Sequence, residues 1–90
     1  MAKILENDKK FKVIVLSQRE ARQLDFGIPE GFICMNCDEL IEGELYYIAV
    51  LNDVMCKECY TEWYNRAKNY VEDAKIENRN FEYYKNLLGL

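Results

Sequence analysis

Cys34, Cys37, Cys56 and Cys59 constrain this chain more than any other residues, and they are its only cysteines. They fall as C-x2-C, an interval of 18 residues, and a second C-x2-C. Two residues between a pair let both sulfurs turn toward one point. Two such pairs complete a tetrahedral thiolate cage, the arrangement Zn²⁺ takes in closed structural sites. The spacing predicts one four-cysteine site and one Zn²⁺ per chain. Four buried free thiols, or a redox pair, are the bland alternative, but paired spacing argues against them. A thioredoxin-like reading would use one C-x-x-C and leave the second pair without a role.

The chain has 90 residues, enough for one domain with a limited core, and domains of that size often need a metal or disulfides as a staple. Half of the residues are hydrophobic, so the sequence is expected to fold. No apolar h-region follows Met1, and the longest apolar run, Leu45 to Leu51, is too short to span a bilayer. The expectation is a cytoplasmic chain with no membrane partner, where thiols stay reduced and metal is favoured over disulfides.

There is no histidine. That removes Ser-His-Asp triads, Cys-His nucleophiles and the usual neutral-pH proton shuttle. Four thiolates also leave a zinc ion no open position for water, so no enzyme activity is expected. Charge excludes a second class. The formal net charge is −4, and four thiolates with one Zn²⁺ take it to about −6. Residues 31–59 hold Asp38, Glu39, Glu42, Glu44, Asp53 and Glu58 against Lys57 alone. Phosphate backbones demand the opposite sign, so nucleic acid is not the expected partner. A weak basic end remains in residues 1–22, with Lys3, Lys9, Lys10, Lys12, Arg19 and Arg22.

Along the chain, residues 1–10 read as a solvated, flexible arm. An N-terminal strand–helix element is expected over 11–31, with a β-branched strand at Phe11–Leu16. Ser17-Gln18-Arg19-Glu20 matches a capping box and opens a short helix through about Phe26, with Ala21, Leu24 and Phe26 as its inner face. Gly27, Pro29 and Gly31 mark a loop leading to the first cysteine pair. A metal-bearing core is expected over 32–75. Within it, Glu44–Leu51 and Val54–Met55 form a hairpin around Asn52-Asp53. Both faces of its first strand are apolar, and the N-terminal strand or helix is expected to cover one of them. From Cys56 the period turns helical, with Tyr60, Trp63, Tyr64, Ala67, Tyr70, Val71 and Ala74 on one stripe, giving a helix over about Lys57–Lys75. A helical extension over 76–90 follows, capped by Asn80 or continuous with the first helix as one bent rod.

The order of knuckle, hairpin and a C-x-x-C opening a helix resembles the treble-clef group of zinc fingers. The resemblance covers residues 32–75 and rests on Cys34, Cys37, Cys56 and Cys59. The spacing is similar to that of GATA-type fingers, and the helix-ending half of a LIM domain is also similar. It implies a structural zinc. The sequence departs from GATA-type fingers in being acidic, and from LIM domains in lacking a second ligand set and histidine. Rubredoxins carry iron on two C-x-x-C pairs followed by glycine, where this chain has Asp38 and Tyr60.

The expected fold class is therefore α+β: a small zinc-stapled, treble-clef-like domain with a short antiparallel hairpin. Tyr60, Trp63 and Tyr64 are read as core residues that shield the metal. The remaining rings, Tyr46, Tyr47, Tyr70, Phe81, Tyr83 and Tyr84, are many for so small a core. Tyr83 lies off the Phe81–Tyr84–Leu88 stripe and is expected at a surface that meets a partner. The expected function is structural zinc binding in a protein-interaction or regulatory module, whose partner is another protein or a second copy forming a homodimer. A GATA-like nucleic-acid binder and a rubredoxin-like iron electron carrier are the alternatives.

Overall fold

The computed structural model describes residues 2–24 and 27–90. Its centre is one antiparallel sheet whose strands lie in chain order: β1 (Lys3–Leu5), β2 (Val13–Leu16), β3 (Leu45–Ile48) and β4 (Asp53–Met55). A short α1 (Gln18–Ala21) follows β2, and α2 (Lys57–Arg66) follows β4. A 3-10 turn at Val71–Asp73 then leads into α3 (Ala74–Leu87). The class is α+β.

β2 and β3 are buried along their whole length. The reason is a helix on each side. Successive side chains of a strand point to opposite faces. Tyr46 stacks on Tyr60 of α2, with centroids 4.7 Å apart and planes 18° from parallel. Its neighbour Tyr47 meets Tyr84 of α3 edge-on, also at 4.7 Å. The register sets Val15 opposite Tyr46 and Ile14 opposite Tyr47, so β2 sorts its side chains the same way. Phe11, just before β2, packs on Trp63 of α2 at 4.7 Å. A doubly apolar strand thus finds cover from both later helices, and α3 takes the side that the sequence reading gave to the N-terminal element.

Local chemistry explains the turns. Ser17 and Glu20 form the reciprocal capping box, with the Glu20 carboxylate accepting the Ser17 N–H at 3.0 Å. The helix expected through about Phe26 stops at Ala21, with Arg22 as its C-cap, and Phe26 lies outside the described residues. The β3–β4 turn places Asn52 in the left-handed region at φ 53°, which asparagine tolerates well. Its side chain accepts the Tyr47 hydroxyl at 2.7 Å.

Three expectations are corrected. The expected arm over residues 1–10 is not free where it is described, because Lys3–Leu5 pairs with Val13–Val15 and Ala2 is buried. The helix expected over Lys57–Lys75 stops at Arg66, with Ala67 extended at ψ 147°. The Lys9 ammonium donates to the carbonyls of Tyr64 and Ala67, closing the end of α2 from 55 or more residues away. Tyr70 and Val71 therefore leave the helical stripe and are exposed. Asn80 does not cap a helix: it lies inside α3, where its amide donates to the Ala49 carbonyl at 2.9 Å. The bent-rod alternative gives way to two separate helices.

Candidate metal centre

The first cysteine pair sits in a tight loop between two short extended segments. Ile33 pairs with Leu40 in an isolated bridge, and the Ile41 N–H donates to Phe32 O at 2.9 Å. Within the loop, the Cys34 N–H donates to Glu39 O at 2.9 Å and the Asp38 N–H to Cys34 O at 3.0 Å. Closing so tight a loop puts Asp38 in the left-handed region at φ 61°. Aspartate reaches that region more readily than most side chains.

The second pair is delivered by β4 and α2. Cys56 is extended (φ −72°, ψ 167°) and caps α2, and Cys59 lies in its first turn. The Met35 N–H donates to Val54 O at 3.0 Å, which fastens the first loop to β4 two residues before Cys56. Gln18 of α1 holds the other side of the loop, donating to Ile41 O at 2.7 Å and Gly43 O at 2.8 Å. Neither tether is legible in the sequence. One is a backbone bond from the loop to β4, and the other comes from a glutamine that any surface helix could carry.

All four predicted ligands come together. Their sulfurs lie within 4.8 Å of one another, and all four are free thiols. A tetrahedron with metal–sulfur arms of about 2.3 Å has edges of about 3.8 Å, so only small rotations would close the cage on an ion. Cys34 is fully buried and Cys59 is buried, while Cys56 is half-buried and Cys37 exposed.

The surroundings favour negative charge on one sulfur and oppose it on two others. Burial works against the Cys34 thiolate, yet the backbone N–H groups of Cys37, Cys56 and Asn36 outweigh it and bring the thiol down to about 7. At Cys37 the Glu39 N–H favours the thiolate, but desolvation and the Cys34 and Cys59 sulfurs together raise the thiol above its ordinary value. Burial, aided by the Cys59 and Cys34 sulfurs, pushes Cys56 up to about 12 against the pull of the Cys59 N–H. Protein groups alone therefore favour a thiolate at Cys34 and resist one at Cys37 and Cys56. That is the chemistry of a donor set completed by a cation, and Cys34, Cys37, Cys56 and Cys59 could hold a metal ion.

Around the cage, Glu39, Glu42, Glu44 and Glu58 rim a groove of ≈ 390 Å³ that also touches Cys37 and Cys56. The aromatic residues predicted to guard the metal divide. Tyr60, next to Cys59, is buried against Tyr46, whereas Trp63 and Tyr64 pack against Phe11. No described helix is long and apolar enough to cross a membrane. Compared with known protein families, curated proteins and solved structures, the chain matches none.

Proposed function

We propose that this chain binds one Zn²⁺ through Cys34, Cys37, Cys56 and Cys59, and that the metal is a structural clasp in a treble-clef-like module that binds another protein. The closed four-sulfur cage carries the reading. Four thiolates satisfy tetrahedral Zn²⁺ and leave no position for water or substrate, so the role is architectural and not catalytic. The ion would join the loop at Cys34–Cys37 to the start of α2, where unsatisfied N–H groups favour negative charge.

The outer face of α3 supports the interaction half of the reading. Phe81 and Tyr84 face the sheet and are buried, while Ile76, Tyr83 and Leu87 on another face are exposed. Tyr83 retains 53 % of its surface. Apolar groups gathered on one exposed face are a common mark of a contact. Acidic residues around the cage weigh against a GATA-like role on nucleic acid.

Native mass spectrometry of the purified chain tests the zinc reading. The expected mass shift is one Zn²⁺ per chain, lost with chelation. Iron at stoichiometry would support the rubredoxin-like alternative instead.

A further inference from the structure

The basic start of the chain takes no part in the metal centre, and the fold carries part of it to the junction between α2 and α3. Two adjoining clefts there, of ≈ 450 and ≈ 530 Å³, share Lys9 and Asn69. Their lining includes Lys9, Lys10, Lys12, Arg66 and Lys68, with Glu77 as its one carboxylate among the described residues. Those residues carry a formal +4 on a chain whose formal net charge is −4. Glu77 is already engaged, since it is buried and accepts the Lys12 N–H at 2.9 Å. Lys9 is engaged too, at the end of α2. Lys10, Arg66 and Lys68 are exposed, and the ion pair found among the described residues, Lys85 with Glu82, involves none of them. Beside them Val71 is 87 % exposed, an apolar side chain set in a cationic cleft.

We propose that this double cleft binds an acidic segment of another protein. Carboxylates of the segment reach Lys10, Lys12, Arg66 and Lys68, and one of its apolar side chains covers Val71. The inference rests on the interaction reading above and gives that partner its chemistry. A nucleic acid fits less well. Among the described residues no aromatic ring lines the clefts to stack a base. A long polyanion would also meet the acidic groove at the other end of α2. A helix of ten residues is about 15 Å long, beyond the screening length of about 8 Å at physiological salt. A short acidic segment confined to the clefts is therefore largely shielded from the acidic end.

Fluorescence anisotropy with the full metal-loaded chain and a labelled peptide of alternating glutamate and leucine tests the proposal. The expected result is saturable binding that weakens with added salt. The double variant Lys10→Glu/Lys68→Glu should weaken it about tenfold or more, while Arg19→Glu, outside the clefts, should leave it unchanged. Both variants change exposed side chains, and thermal melts confirm that each is folded. Absence of peptide binding, or equal binding by the double variant, overturns the proposal. So does tighter binding of a labelled single-stranded oligonucleotide. Sedimentation that shows self-association abolished by the same double variant makes a second copy the occupant and also overturns it. Peptide binding fails alone if Tyr83→Ala still disrupts a protein contact, in which case the interaction reading stands without this cleft. Failure of both removes that reading as well.

Discussion

The Glu77 carboxylate accepts the Lys12 backbone N–H at 2.9 Å, joining the inner face of α3 to the residue that leads into β2. Glu77 is only 4 % exposed, so a charged side chain has been buried to make this bond. Glu77→Ala would leave the Lys12 donor without its acceptor and should cost about 1–3 kcal/mol. Glu77→Gln retains an acceptor oxygen and should cost less. Urea denaturation of both variants checks the order, and an alanine variant as stable as wild type would show the bond to be idle.

Removal of the metal should cost far more. Zinc in small structural sites contributes on the order of 10 kcal/mol, comparable to the whole stability of a domain this size. Cys37→Ser and Cys59→Ser should each lose the dispersed amide spectrum of the native chain, and chelation should do the same. The Cys37 result is the sharper one, because that residue is exposed and its substitution removes little packing. A well-dispersed NMR spectrum for the Cys37→Ser chain would argue that the cage is incidental to folding.

Two rings two residues apart on one helix should respond to truncation by different amounts. Phe81 is buried and lies beneath the Lys12 ammonium, 5.5 Å from the ring centre. Phe81→Ala should cost about 3–5 kcal/mol. Tyr84 is adjacent to the second ring, Phe81's exposed counterpart Tyr83, and meets it edge-on at 4.8 Å. Loss of that contact limits the cost of Tyr83→Ala to about 1 kcal/mol. If α3 is the docking face, Tyr83→Ala should still weaken partner binding or self-association. Thermal melts beside sedimentation separate the two effects.

Glu20 gives a pH signature. The Ser17 N–H is the main cause that lowers its carboxyl from 4.5 to about 2; burial opposes the shift, and the Ser17 hydroxyl and Ala2 N–H reinforce it. A carboxyl lowered by folding stabilises the native state above its unfolded value and loses that contribution as pH falls through its folded value. The difference in melting temperature between wild type and Glu20→Gln should therefore be full above pH 4.5 and shrink toward pH 2. Taking the difference on one background cancels acid loss of metal. A gap that does not depend on pH would show that the capping carboxylate acts by shape alone.

Local signals in the sequence carried the site. Four cysteine positions needed only spacing, and the capping box at Ser17–Glu20 and the turn at Asn52 needed only neighbours. What remained hidden depended on distant partners. The stripe from Tyr60 to Ala74 keeps a helical period, yet α2 ends at Arg66 because Lys9 satisfies its last carbonyls from across the fold. β1 is three residues long with a lysine among them, so nothing marked it as a strand before β2 was placed beside it. Asn80 reads as a cap by residue type, but its amide is used by Ala49. Nothing in the sequence singles out Glu77, since burial of a carboxylate is visible only once its donor is known.

α2 is held at both ends by parts of the chain remote from it: the Cys34 loop at its start and Lys9 at its finish. The consequence is one of modularity. A segment cut to the ligand-bearing loop, hairpin and helix would take the four sulfurs along but leave the helix terminus unclosed. It would also strip β2 from β3 and lay bare a strand that is buried on both faces. Such a fragment could not be transplanted as a bead on a string, and insertions within it would have to avoid both tethers. The four sulfurs therefore travel only with β2 and the Lys9 segment, both of which precede the first cysteine.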